Sequence, residues 1–268
     1  PNAAWADARV EDFADALMAI TGVSVVVKNG SGRSRVLEGL DDASGVIRGA
    51  LDAPIPVLMN GATYMADLLG GQKTGLFYDQ RPNHAFVASL ARDTDVLDVF
   101  SHVGGFALAA LGAGARSALA VDGSNAALTL AWAGAKASGM ADRFDTKVGD
   151  AFEVMSALAD EGRTFETVIC DPPAFAPHKQ ARDAGMRAYE KVARLASLLV
   201  APNGTLTLCS CSHAVDLDQF RAAWLRGIGR VRRDCQILRT GYAGPDHPQH
   251  PQLAESGYLK ALTFRFLG

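Results

Sequence analysis

The chain has 268 residues, 49 % of them hydrophobic, and a formal net charge of −3. That length allows one large domain or two modest ones around a substantial core. No apolar run approaches the ~18 residues of a membrane span, so no membrane partner is expected. The acidic balance gives no support to strong non-specific nucleic-acid binding, although a local basic face is compatible with it. The four cysteines, Cys170, Cys209, Cys211 and Cys235, lack the spacing of a disulfide framework. A reduced, cytoplasmic protein is expected. No secretory signal is expected from the leading residues. The first residue is Pro1 rather than methionine, so a processed product or a fragment of a longer chain is expected.

Trp5, Val10, Phe13, Leu17 and Ile20 share a face at helical spacing and predict one helix from Trp5 to Ile20, ended by Gly22. A strand is expected at Val23–Val27, a turn at Lys28–Arg33 and a second short strand near Arg35–Leu37. Ile55–Met59 and Ala62–Asp67 flank Asn60-Gly61, a dipeptide that favours a hairpin turn. Residues 1–70 therefore read as a small α+β module and residues 71–268 as the main domain. Gly70-Gly71-Gln72-Lys73-Thr74-Gly75 follows. It misses the Walker pattern, because no glycine precedes Lys73-Thr74 at the required place. Pro82 suits the start of a helix running through Ala91.

From Thr94 onward strands and helices alternate. Strands are expected at 95–100, 117–122, 143–148, 165–170 and 204–210. Helices are expected at 105–113, 124–138, 151–160, 184–200 and 215–226. Such alternation implies a parallel sheet covered on both faces. Two late strand-like segments, about 231–239 and 259–266, can complete a seven-stranded, mostly parallel, Rossmann-like sheet.

In open α/β sheets the ligand sits at the carboxyl ends of the strands. The first strand ends in Asp98-Val99-Phe100-Ser101-His102-Val103-Gly104-Gly105, which is not GxGxxG. A glycine turn at that place lets a ligand approach the backbone, with free N–H groups at the helix start. The second strand ends in Asp122, placed to bind ribose hydroxyls. This combination argues against a dinucleotide and for the nucleoside site of class I methyltransferases, which bind S-adenosylmethionine. The donor pocket is assigned Asp98, Phe100, Ser101, Gly104 and Gly105 from the first loop, and Asp122, Gly123 and Ser124 from the second. The third loop gives Asp150, Ala151 and Phe152, and the fourth Asp171 and Pro172. In this reading Asp150 faces the adenine amino group and Phe152 walls the ring, although an acid in Asp150's position also suits a helix cap.

Asp171-Pro172-Pro173 holds an acid and the following carbonyl in a stiff, extended loop, where a planar base can be hydrogen-bonded. Cys211 ends the fifth strand. Its thiolate could add to C6 of a pyrimidine and make C5 nucleophilic enough to accept a methyl group. The plainer reading makes Cys209 and Cys211 small buried residues. A metal site at Cys209, Cys211 and His213 lacks a second ligand pair at zinc-like spacing, and no metal is expected. Arg226, Arg230, Arg232 and Arg233 are candidates for phosphate contacts on an RNA face.

Several motifs in order resemble those of the RlmI-like bacterial ribosomal RNA large-subunit methyltransferases. They are Gly71-Gln72-Lys73-Thr74-Gly75, Asp79-Gln80-Arg81, Asp98 to Phe106, Asp171-Pro172-Pro173-Ala174-Phe175 with Lys179, and Ser210-Cys211-Ser212. Asp246-His247-Pro248 and Tyr258-Leu259-Lys260 fit as well. The resemblance implies a class I fold, S-adenosyl-L-methionine as methyl donor, and cytosine C5 of 23S rRNA as acceptor. It implies that Cys211 is the nucleophile and that Lys73, Thr74, Gln80 and Arg81 lie near the donor. Pro173, Phe175 and Lys179 fall on the substrate side, and Asp171 orients the base. A related branch methylates guanine and carries asparagine where this chain has Cys211. The alternatives are methylation of a ring or exocyclic nitrogen of RNA without a cysteine step, and a non-enzymatic RNA-binding module. The family's leading PUA domain is not visible in these residues, and Met59-Asn60-Gly61 stands where the family has a glutamate-rich segment. The sequence sets no oligomeric state.

Overall fold

The computed structural model describes residues 1–70 and 75–268. It divides into two compact units, Pro1–Ile55 with Ala66–Gly75, and Pro56–Met65 with Leu76–Gly268.

In the first unit α1 (Ala4–Asp7) and α2 (Val10–Thr21) are followed by β1 (Val26–Lys28), α3 (Arg33–Leu37) and β2 (Gly45–Arg48). Gly22, at φ 73°, caps α2 and donates to the Met18 carbonyl, as its place in the sequence predicts. The single helix expected over Trp5–Ile20 is broken at Arg9. Asp7 at the end of α1 is tied to Lys28 (2.7 Å) and Arg35 (2.8 Å), and these ties anchor α1 separately from α2. The expected apolar face is not buried either: Trp5, Phe13, Leu17 and Ile20 are exposed. The strand expected near Arg35–Leu37 is helical. Arg35 is almost fully buried and also donates through Nε to the Asp41 carbonyl at 3.0 Å. Such long-range ties override the local β preference of Val36 and Leu37. The strand that pairs antiparallel with β1 is β2, which the sequence did not announce.

β3 (Ile55–Met59) and β4 (Ala62–Ala66) form the hairpin expected around Asn60-Gly61. Both turn residues have positive φ, 49° and 77°, which that dipeptide tolerates best. The hairpin is tied to the second unit by Thr63 N donating to Ser138 Oγ (2.8 Å) and Tyr64 Oη donating to the Gly105 carbonyl (3.1 Å).

The second unit continues with α4 (Arg81–Leu90), β5 (Asp95–Val99), α5 (Gly105–Gly112), β6 (Ser117–Asp122), α6 (Asn125–Ala137) and β7 (Phe144–Val148). Then come α7 (Ala151–Asp160), β8 (Phe165–Cys170), α8 (Arg182–Leu198), β9 (Val200–Ser210), α9 (Leu217–Gly229), β10 (Cys235–Gly241) and β11 (Lys260–Phe266). The seven strands lie in the order β10-β11-β9-β8-β5-β6-β7. β9, β8, β5, β6 and β7 are parallel, and β11 runs antiparallel between β9 and β10. This is the seven-stranded, mostly parallel sheet that the strand–helix alternation implied. Helix and strand limits differ from expectation by a few residues, most at β9, which starts at Val200, and at β10, which ends at Gly241.

Central strands are apolar because both their faces are covered: Val96, Leu97 and Val99 of β5 and Val168, Ile169 and Cys170 of β8 are buried. α5 is buried from Phe106 to Leu111, so its sequence shows no polar face. α7, α8 and α9 pack Tyr189, Phe220 and Trp224 against Leu206, Leu208 and Phe264 of the sheet. Sequence-successive strands diverge from β5, with β6 and β7 to one side and β8 and β9 to the other. A crevice therefore opens at the carboxyl ends of β5 and β8, where such folds bind ligands.

Candidate active site

The loop after β5 concentrates three left-handed residues within five positions. Phe100, His102 and Gly104 have φ of 63°, 50° and 79°, and two of these are non-glycine residues in the left-handed region, which costs of order 1–3 kcal/mol each. The strain is held by hydrogen bonds from Ser101 N to the Val121 carbonyl (3.1 Å), His102 N to Asp122 Oδ2 (2.8 Å) and Gly104 N to the Ser101 carbonyl (2.8 Å). Gly105 is required for packing. A Cβ there would lie 2.8 Å from the ring of His84, whose imidazole packs edge-on to Phe106 at 4.4 Å. The expectation that these glycines clear the way for a ligand is thus corrected at Gly105, where the space is filled by His84. Burial pulls the His84 pKa down to about 3, so that ring is neutral.

Asp98 is fully buried at the centre of the sheet edge. Its Oδ2 accepts from Ala107 N at 2.9 Å, and Phe106 N also bonds the carboxyl. The N–H groups expected to be free at the start of α5 are therefore partly engaged from below. Oδ1 of Asp98 has no hydrogen-bond partner among the described residues. Burial, opposed by the Ala107 bond and reinforced by the nearby Asp171 and Asp122, raises its pKa to about 7.

Asp122 ends β6 with its carboxylate on two backbone donors, His102 N and Ser124 N, both at 2.8 Å. Ser124 caps α6 through Ala127 N, and Gly123 lies between the two in the same turn. Asp150 Oδ1 caps α7 by accepting from Phe152 N (2.9 Å) and Glu153 N (3.1 Å). The capping alternative for Asp150 is therefore realised. Ala151 is buried in the first turn of α7, while Phe152 is half-buried and joins Phe100 and Phe175 in a cluster with ring centroids 6.2–6.4 Å apart. Lys191 Nζ sits 4.6 Å from the centre of the Phe152 ring.

On the other side of the crevice, Asp171 follows β8, with its N–H on the Val99 carbonyl at 3.2 Å. Its Oδ2 accepts from Gln80 Nε2 at 2.9 Å. Gln80 is buried, and its Oε1 accepts from Asn83 Nδ2 at 2.7 Å. Arg81 pairs with Asp246 at 3.2 Å. Pro172, Pro173 and Phe175 continue the loop, and Lys179 starts a short turn before α8. Lys73 and Thr74 lie outside the described residues.

Cys211 follows β9 directly and is half-exposed, whereas Cys209 is fully buried. Burial, with Asp171 adding to it, pushes the Cys209 thiol well above the usual range. The residues either side of Cys211 are clamped. Ser210 and Ser212 are fully buried, and Tyr189 Oη lies 2.7 Å from each of their hydroxyls. Ser212 N donates to Ser210 Oγ and Ala176 N donates to Ser212 Oγ, both at 3.1 Å. One phenol thereby links the cysteine turn to the Asp171–Ala176 loop. Sequence reasoning missed Tyr189, Asn83 and His102. Tyr189 sits mid-helix with nothing local to mark it.

The donor set fits a nucleoside with a cationic side chain. The buried Asp98 Oδ1 is an acceptor with no donor of its own, Asp122 stands at the ribose position of such folds, and the phenylalanine cluster offers an apolar wall. A sheet with its switch between β5 and β8, closed by an antiparallel strand next to β9, defines the protein as having the class I methyltransferase fold.

The chain belongs to the S-adenosylmethionine-dependent methyltransferase family, whose model matches residues 19–265. Among curated relatives, the ribosomal RNA large subunit methyltransferase I of Shewanella denitrificans is 32 % identical over 97 % of this chain and 65 % of its own length. The protein of the same name from Aeromonas salmonicida is 34 % identical over 86 % of this chain and 59 % of its own. The chain thus spans less than two thirds of the length of these relatives. A SAM-dependent methyltransferase structure from Streptococcus mutans superposes with a TM-score of 0.81 at 21 % identity, covering 98 % of this chain and 66 % of that one. A methyltransferase crystal structure complexed with SAH superposes at 0.74 and 25 % identity, covering 83 % and 58 %.

Proposed function

We propose that this chain carries the methyl-transferring part of an RNA methyltransferase that modifies cytosine C5 in 23S ribosomal RNA, in the cytoplasm. The relatives' names support the substrate class. The observation that carries the mechanism is Cys211, half-exposed beside a fully clamped turn that Ala176 ties to the Asp171 loop.

S-adenosylmethionine, when bound, supplies an electrophilic methyl group. Asp122, Gly123 and Ser124 would hold its ribose, Asp150, Ala151 and Phe152 its adenine, and Asp98, Phe100, Ser101 and Gly104 would line its amino-acid end. Gln80, Arg81 and Pro172 border the same pocket, and the motif resemblance assigns Lys73 and Thr74 to the donor. On the acceptor side, Pro173, Phe175 and Lys179 receive the base. The Cys211 thiolate forms a bond to C6, which puts electron density on C5. Asp171, oriented by Gln80, accepts a hydrogen bond from the edge of the base or holds its proton as charge develops. Once C5 carries the methyl group, its proton passes to solvent and the C6–S bond breaks, which frees the Cys211 thiolate and restores the aromatic ring. The described residues assigned to this chemistry all lie in the second unit.

The RNA face is drawn from a groove between α8 and α9 that includes Arg182, Arg187 and Arg226. Arg226 and Arg230 share Glu190, and Arg232 is exposed. Arg233 is removed from the expected set, because its guanidinium donates to the Ser197 carbonyl at 3.0 Å and stacks on Phe266 at 4.5 Å.

The test is trapping on RNA that contains 5-fluorocytidine, with S-adenosylmethionine present, for the wild type and Cys211→Ala. Fluorine blocks the final proton loss. A denaturation-resistant adduct, lost in the alanine variant, is expected. Methyl transfer to unmodified RNA without any adduct would sink the C5 mechanism in favour of a nitrogen acceptor.

A further inference from the structure

The clamp around Cys211 has a second part on the last strand. Lys260 stands opposite Ser210 in the antiparallel pairing of β11 with β9. Its side chain is only 5 % exposed and donates to the carbonyls of Ser212 (2.9 Å) and Val215 (2.8 Å). Both carbonyls belong to the turn that begins at Cys211. Carbonyls solvate an ammonium but do not neutralise it, and an unneutralised buried cation is costly. A lysine at this point therefore calls for a nearby negative charge.

Two candidates act on it. The Cys211 thiolate and the Asp216 carboxylate both favour the charged lysine, against the burial that disfavours it. Asp216 is already engaged as the cap of α9, where it accepts from Gln219 N at 2.8 Å. Cys211 is the group whose charge can respond. Its other described neighbours are Tyr189 from α8 and Tyr258 just before β11, whose phenols both feel its charge. His213, in the same turn, packs its ring 5.6 Å from that of Tyr258. Tyr258 itself donates to Asp79 Oδ2 at 2.5 Å. Asp79 reaches this surrounding through Tyr258, Asp171 acts on the neighbouring Cys209 and Asp216 on Lys260 itself; negative charges there would oppose a thiolate, and the Lys260 ammonium would favour one.

We propose that Lys260 is a positioning residue for Cys211, holding its turn through Ser212 and Val215 and stabilising the thiolate with a buried positive charge. The thiol proton leaves to solvent, and no other bond changes. This inference rests on the reading of Cys211 as the nucleophile.

The test is the pH profile of Cys211 alkylation by iodoacetamide in the full chain without RNA, read peptide by peptide by mass spectrometry. It compares the wild type with Lys260→Met, Lys260→Gln and Lys260→Arg, with folding checked by circular dichroism. In the two neutral variants the midpoint should move up and the rate at pH 7 should fall at least fivefold. Lys260→Arg should stay within twofold of the wild type. An unchanged midpoint in either folded neutral variant would overturn the inference, and so would failure of both to fold, which would make Lys260 purely structural. The two readings fail separately. Methyl transfer that survives Cys211→Ala removes the nucleophile while leaving any lysine effect on the thiol intact. An adduct with 5-fluorocytidine alongside an unmoved midpoint removes only Lys260.

Discussion

The two sides of the crevice are built on different principles. On the β5–β6 side, the carboxylates of Asp98 and Asp122 rest on backbone N–H groups from the adjacent turns. On the β8–β9 side, Asp171 and Cys211 are held through other side chains: Gln80 and Asn83 for the acid, Tyr189, Ser210, Ser212 and Lys260 for the cysteine turn. Backbone donors persist through most substitutions. A side-chain network fails when one member is removed, because the remaining buried groups lose their partners. The first side is thus fixed by the path of the chain. The second is fixed by identity at distant positions.

Substitutions can break this contrast in order of effect. Asp171→Ala should lower methyl transfer by about 100-fold or more while leaving SAH binding within a few-fold, measured by single-turnover assay and calorimetry. Equal losses in both would place Asp171 on the donor side. Tyr189→Phe takes one partner from each of two buried serine hydroxyls, which keep their backbone donors, and should cost about 1–3 kcal/mol, measured by urea unfolding, together with a loss of adduct formation. Asp98→Asn tests the buried acid. A carboxyl whose folded pKa is raised to about 7 stabilises the protein most below its unfolded value near 4. That contribution is lost as pH rises through 7, at up to about 1.4 kcal/mol per pH unit. The stability of the wild type relative to Asp98→Asn should therefore fall between pH 4 and 7, and a flat difference would place the Asp98 pKa near its ordinary value. Asp150→Ser keeps a capping oxygen and should change stability by less than about 0.5 kcal/mol. Weaker SAH binding in that variant would mean that Asp150 serves the adenine as well as the helix.

The same contrast explains what the sequence could reveal. The β5–β6 side was legible because its signals are local: an apolar run, a polar turn, two glycines and a helix in a dozen residues. The mostly parallel, doubly covered sheet followed from the alternation of elements. Asp150 was read as an adenine contact or a helix cap, and the structure displays the cap. Across the crevice, the Asp171 and Cys211 loops stood out, yet their supports did not. Tyr189 precedes Ser212 by 23 residues and Lys260 follows it by 48, and no periodicity joins them. In the first unit, Arg35 carries its role through long-range bonds, so a β-like triplet became a helix. Gly105 was read as room for a ligand, because sequence shows a missing Cβ but not the His84 ring that fills its place.

The insertion of β11 between β9 and β10 has a consequence for the order of assembly. Tyr258 and Lys260 reach back to Asp79 and to Ser212, so a single late segment locks two walls of the crevice that are made far earlier. A nascent chain can lay down the parallel strands and expose Cys211 long before this segment leaves the ribosome. Until β11 threads in, nothing from that strand fixes the cysteine turn or sets a positive charge beside it. A chain cut short before β11 should therefore carry Cys211 in a turn that lacks the Lys260 bonds to Ser212 and Val215.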